Sequence, residues 1–232
     1  MSKKPTISVI IPAQNEQDSI AKIIMHIKAT ARTKSVIQII VAVNGEDYTA
    51  KRARKSGAIV VRVGSSRALA LNGGQKLATA DVVYFLHADS QPPIAWDQHI
   101  IRAYRAGYHA GTFRLRFDSS NLLLRFSAWF TRFNWNCIRF GDQSLYVGQK
   151  EFLKAGKFDE NMTTMEDREI INRIRAISKF KILPQYIVTS ARKYRRYGYW
   201  RLQIIYLIVN ILYYLRLPQT KIIATYQKLL GN

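Results

Sequence analysis

The sequence predicts an α/β fold: an open mixed, mainly parallel sheet flanked by helices, followed by a helical segment that is both apolar and basic. Three observations carry that expectation. Short apolar runs of strand length alternate with helical patterns through the first half, which implies parallel pairing through right-handed crossovers with helices on both faces. Polar clusters follow the strands, where an open α/β sheet binds its ligands. The stretch from Ile170 to Asn232 holds twelve Lys and Arg and no Asp or Glu.

Ile7–Ile11 reads as the first strand, and Pro12-Ala13-Gln14-Asn15-Glu16 leads into a helix expected over Glu16–Ala31. Asn15 is its expected N-cap, with Asp18 at capping-box spacing, and Glu16 complements the helix dipole. Val36–Val43 and Ala58–Val63 read as further strands around a helix over Asp47–Ser56. Arg67–Thr79 is helical in pattern. Arg67, ahead of Asn72, Gly73 and Gly74, is a phosphate candidate, because glycines allow close backbone approach. Val82–Leu86 is an apolar run that Pro92 and Pro93 forbid from continuing. Its end, His87-Ala88-Asp89, puts an imidazole and a carboxylate in the ligand crevice. Asp89 can hold Mg2+ or Mn2+ that bridges phosphate oxygens, and His87 would add a nitrogen ligand better suited to Mn2+. The alternative is that Asp89 only initiates a turn before the prolines.

Ala110–Phe117 and Ser144–Val147 read as strands. Between them lies an aromatic segment, Asn121 to Phe140, with Arg125, Arg132 and Arg139 spaced seven apart, about two helical turns. It is either a basic membrane-surface helix or a core-packed helix with a solvated arginine stripe. Ile170, Ile171, Ile174 and Ile177 then recur at helical spacing behind Glu166 and Asp167. Thr164 and Asp167 have capping-box spacing, so dipole complementarity accounts for the acids; Asp167 could also take a proton from an acceptor hydroxyl. Arg192, Arg195 and Arg196 could clamp charge on a leaving diphosphate, or face lipid or solvent. Last comes Arg201 to Pro218, whose uncharged stretch Leu202–Leu215 is fourteen residues, short of the roughly eighteen of a spanning helix. Apolar apart from Gln203 and Asn210, and flanked by Arg192, Lys193, Arg195, Arg196 and Arg201, it suits an interfacial anchor. A buried helix or a dimer contact is the alternative.

Composition bounds the function. With 232 residues, 48% of them apolar, the chain can bury one sizeable core, and one domain over 1–232 is expected. Cys137 is the lone cysteine, which excludes an internal disulfide and a cysteine-rich zinc site and fits inert filling in a reducing compartment. The opening MSKKPTISVIIP lacks the apolar core of a signal peptide, so a cytoplasmic protein is expected. The net charge of +21 favours nucleic acid, an anionic membrane or phosphorylated small molecules. Nucleic acid is set aside as a partner. It would be repelled by carboxylates at strand ends, and no helix-turn-helix, zinc-finger or RNP signature is present.

Taken in order, SVIIPAQNE, FLHADSQPP, GDQSLYV and MEDREI resemble glycosyltransferase family 2, whose catalytic domain has the GT-A fold. More narrowly, RALALNGGQKLA and TSARKYRRYG beside them look like the compact radical-SAM/selenodomain-associated transferases. The resemblance implies that Pro12, Asn15 and Glu16 lie beside the nucleotide. Asp89, after Ala88, is then the last acid of a metal-binding Asp-x-Asp in which His87 replaces the first. Asp167, after Glu166, is the base, and Gly141, Asp142 and Gln143 lie on the acceptor side. Where the family has an Asp-rich turn, this chain has AVNGEDYT. Asp47 and Thr49 match the end of that turn, and Asn44 or Val43 stands where a base-reading acid is expected; Asn can accept and donate hydrogen bonds.

The resemblance implies inverting sugar transfer from a nucleotide-diphosphate donor with Mn2+ or Mg2+. It casts 1–117 as the nucleotide-binding half, 118–198 as the acceptor and catalytic half and 199–232 as C-terminal helices. The tail and the aromatic segment add a lipid-linked or otherwise apolar acceptor and a peripheral place on the inner face of the cell membrane. Two alternatives share the crevice: a nucleotidyltransferase, which would want a Gly-rich Lys signature near the first strand, and a catalytically impaired membrane-surface protein.

Overall fold

The structure is a computed structural model that describes residues 4–64, 66–135 and 141–231. Cys137 and Arg139 lie outside the described residues. Strands β1 (Ile7–Ala13), β2 (Val36–Val43), β3 (Ile59–Arg62) and β4 (Val82–Phe85) form a parallel block. Beyond β4 the sheet becomes mixed. β5 (Ser90–Gln91), β6 (Ala110–Phe117), β7 (Leu145–Gly148) and β8 (Phe180–Thr189) complete the order β3-β2-β1-β4-β7-β6-β8-β5. β7 runs antiparallel to β4 and β6, whereas β6 and β8 are parallel.

Central strands with apolar residues on both faces must be covered on both sides. Ile7, Val9 and Ile11 of β1 pack under helix α1 (Ile20–Thr30) through its buried Ile20, Ile23, Ile24 and Ile27. Ile10 faces the opposite layer, with Leu71 of α3 (Arg67–Lys76) and Ile170, Ile171 and Ile174 of α7 (Glu166–Ile177). The remaining helices are α2 (Thr49–Lys55), α4 (Trp96–Arg105), α5 (Leu122–Trp129), α6 (Gln149–Lys154), α8 (Arg192–Tyr197), α9 (Tyr199–Tyr214) and α10 (Gln219–Leu230).

Several expectations are corrected. Asn15 does not cap α1: its φ of 52° is left-handed, and the helix starts at Ile20 after a turn in which the Ser19 and Ile20 amides donate to the Glu16 carbonyl. Thr164 does not cap α7, whose N-cap position is Met165, also left-handed. The aromatic segment is no continuous helix. Thr131 ends it by donating to the Ala128 carbonyl at 2.6 Å while accepting from the Leu115 amide of β6 at 3.0 Å, and Phe130–Arg132 is a 3-10 turn. β8 has no counterpart among the expected strands, and its sequence carries Pro184, which a strand interior disfavours. The sheet absorbs that proline at an irregularity where β6 shifts register from Leu183 to Tyr186.

Candidate active site

The carboxyl ends of β1, β2 and β4 open into a cleft of about 420 Å³. Pro12 and Glu16 line it from the β1 end, Asn44 from the β2 end, and His87, Ala88 and Asp89 from the β4 end. Arg67 enters at the start of α3, where Ser66 accepts from the Leu69 amide at 3.1 Å as a true N-cap. Asp142 arrives on the 3-10 turn Gly141–Gln143, and Arg192 and Lys193 arrive on α8. Phe117, Tyr194 and Tyr206 supply an aromatic wall.

Arg67 organises one side of the cleft. Its Nη1 donates to Glu166 and, at 2.5 Å, to Asp167 Oδ2, while Nη2 lies 2.6 Å from His87 Nε2. Burial alone would weaken the guanidinium charge; Asp167 and then Glu166 more than restore it, and the pKa of Arg67 is raised. Because a guanidinium can only donate, His87 Nε2 accepts, and its ring proton is assigned to Nδ1, 3.7 Å from Asp142 Oδ1. In this arrangement Arg67 occupies the Nε2 lone pair with which His87 would bind a metal. Asp167, which does not line the cleft, is joined to it through Arg67.

Arg192 organises the other side. It pairs with Glu16 and stands 3.7 Å from Asp89 Oδ2. Burial raises the Asp89 pKa, Arg192 opposes and Glu16 reinforces, and the net direction is upward. Asp142 is pushed up to about 6, first by burial and then by the charge of Asp89. Its side chain keeps 45% of its surface open to the cleft, so water screening shrinks the energetic weight of that shift. Among the described residues no group of three or more His, Cys, Asp or Glu side chains is arranged to hold a metal ion.

Other expected site residues have structural duties. Asp47 accepts from the Gln17 amide at 3.2 Å and the Thr49 amide at 3.0 Å, and Thr49 accepts from the Glu16 amide at 2.9 Å. Together they fix the loop that carries Glu16. Asn15 tucks against Gly45, where an added Cβ would lie 2.6 Å from Asn15 Oδ1. Asn72 is buried and holds Phe158 and Glu160. The close approach that Gly73 allows is to Val63, and the one that Gly74 allows is to Ile10; a Cβ added at either glycine would lie 2.6 Å from that neighbour. Gln143 is buried and donates to the Thr131 carbonyl at 3.4 Å. Arg195 pairs with Asp118, and Arg196 lies over Tyr197. Lys193, Tyr194 and Tyr206 are cleft residues that the sequence reading does not single out; the basic run at 192–196 is a signal for the first two, and Tyr206 on α9 has none.

Comparisons with known proteins bear on the family and the fold. The profile of Glycosyl transferase family 2 matches residues 8–158. A search of curated proteins finds no significant match. Among solved structures, a mannosyltransferase from Pyrobaculum calidifontis in complex with GDP-Man and Mn2+ is 17% identical, covering 98% of this chain and 70% of that one with a TM-score of 0.73. Staphylococcus aureus TarS 1-349 in complex with UDP-GlcNAc is 12% identical, covering 80% of this chain and 58% of that one, with a TM-score of 0.65. A mycobacterial protein is 17% identical, covering 80% of this chain and 65% of that one, with a TM-score of 0.57. The chain thus spans less than two thirds of the latter two. At such identities the likeness establishes the fold, and the profile, spanning more than half of the sequence, establishes the family: the chain belongs to glycosyl transferase family 2.

Proposed function

We propose that the chain is an inverting glycosyltransferase that moves a sugar from a nucleotide-diphosphate donor to a lipid-linked or otherwise apolar acceptor at the cytosolic membrane face. The observation that carries this reading is the charge pattern of the cleft. Glu16, Asp89 and Asp142 face Arg67, Arg192 and Lys193 at the carboxyl ends of parallel strands, a pattern complementary to a divalent cation with a diphosphate. The mannosyltransferase with GDP-Man and Mn2+ and TarS with UDP-GlcNAc support the donor class by likeness of fold.

Asp89 and Asp142 fit a hard cation, Mn2+ or Mg2+, as oxygen donors too few to enclose it, so diphosphate and water would fill the remaining positions. When bound, the metal supplies neutralisation of charge on the leaving diphosphate. Arg192 and Lys193 add donors for the same phosphates. Pro12, Asn44 and the loop fixed by Asn15 and Asp47 flank the nucleotide. Asp167, oriented by Arg67, takes the proton of the acceptor hydroxyl as the new glycosidic bond forms and the bond to the diphosphate breaks. The aromatic wall of Phe117, Tyr194 and Tyr206 suits an apolar acceptor.

A thermal-shift panel of nucleoside diphosphates with and without Mn2+ tests the donor half, since a ligand of the native state raises the melting temperature. A shift that needs Mn2+ and disappears in Asp89→Ala is expected. Equal shifts in both proteins would remove Asp89 from the metal site, and no shift with any nucleotide would remove the donor.

A further inference from the structure

The outward faces of the neighbouring helices α5 and α9 are surface that the cleft chemistry does not use. On α9, Leu202, Ile205 and Val209 enter the core, and on α5 Leu124 and Ala128 join the same core cluster. Their opposite faces are also apolar. Trp200, Ile204, Leu207 and Ile211 recur at four- and three-residue spacing along α9, and Leu122, Phe126 and Trp129 do so along α5. Each is between 44% and 75% exposed. Helices with a solvated face carry polar side chains there, and an apolar face of this extent marks an interaction surface.

We infer that this two-helix surface docks on an anionic lipid membrane, with the apolar side chains in the interface and the basic ones at the headgroups. Charge selects lipid over a second copy of the chain. Arg125 sits one turn from Leu122 and Trp129, Arg132 stacks over Trp129 at 4.6 Å, Arg201 adjoins Trp200, and Arg216 follows the end of α9. No Asp or Glu occurs on α5, α8, α9 or α10, so a self-paired surface would bring like charges together without a counter-charge. An anionic headgroup layer supplies that counter-charge. Among the described residues no helix is long and apolar enough to cross a membrane, which leaves α9 lying in the interface.

The surface is coupled to the cleft by one helix. Tyr206 of α9 lines the cleft, stacks with Tyr226 of α10 and meets Tyr194 edge-on. Docking α9 therefore sets the aromatic wall of the cleft beside the bilayer, where an acceptor with a lipid anchor would present its hydroxyl. This consequence rests on the transfer reading above; membrane docking itself does not.

The test is co-sedimentation of the full chain with phosphatidylcholine vesicles and with phosphatidylcholine vesicles doped with phosphatidylglycerol. Binding to the doped vesicles is expected, weakened by salt but not abolished. The double variant Ile204→Glu/Leu207→Glu, altered only at exposed positions, should bind them about tenfold or more weakly. The Mn2+-dependent nucleotide shift of that variant, run in parallel, should match the wild type and reports separately on the donor reading. Absence of wild-type binding to doped vesicles at low salt would overturn the inference. So would vesicle binding that the double variant retains, or light scattering showing a dimer that the double variant dissociates.

Discussion

At the scale of single residues, position in the chain and position in space part company. His87-Ala88-Asp89 was legible because a strand, its polar end and its prolines are contiguous, but the fate of His87 was not. Arg67 reaches across 100 positions to Asp167 and 20 to His87, and no local pattern announces such a contact. Asp142 carries a testable consequence. Its carboxyl ionises near 6 in the native state against 3.8 in the reference state, so between those values the native state binds more protons and stability falls as pH rises. Asp142→Asn should therefore gain stability on the wild type as pH climbs through about 6 and gain nothing from this source below about 4. Chemical denaturation at the two extremes checks it; a gain of equal size at both would show that the carboxyl is not perturbed by burial and Asp89.

At the scale of elements, periodicity served well wherever the pattern was local. β1, β2, β3, β4, β6 and β7 and the helices α1, α2 and α3 fall where the alternation of apolar runs puts them, within a few residues at the ends, whereas α4 had no counterpart among the expected helices. The start of α1 was misread, because the left-handed Asn15 depends on Gly45 thirty residues away, where only a glycine leaves room for its side chain. Gly73 and Gly74 invited a phosphate reading because close approach is what glycines allow, and sequence does not say approach to what. The structure answers with Val63 and Ile10. Gly74→Ala, although it favours helix intrinsically, should destabilise the protein by about 1–3 kcal/mol through overpacking of α3 on β1. Thermal or urea unfolding measures this, and a stabilised variant would mean that α3 can move off the sheet at little cost.

At the scale of the whole molecule, the sheet gathers the ends of β1, β2 and β4, the start of α3 and the helix α8 around one cleft, Arg67 ties the start of α7 to it, and α9 joins that cleft to an apolar and basic surface. The charge of +21 becomes intelligible in that arrangement. Part of it faces the carboxylates of the cleft through Arg67, Arg192 and Lys193, and part rims the outward faces of α5 and α9. The sequence could show that positive charge was concentrated towards the end of the chain, but only the tertiary fold shows which cations meet Glu16, Asp89 and Asp167. Sugar transfer in this cleft with Asp167 as base is tested by Mn2+-dependent release of nucleoside diphosphate from a panel of nucleotide sugars, made beside donor-binding titrations of the same preparations. At least one donor should be cleaved, and Asp167→Asn should bind it as the wild type does but turn it over roughly a hundredfold or more slowly, the scale of a lost general base. Near wild-type turnover by Asp167→Asn would rule out Asp167 as the base.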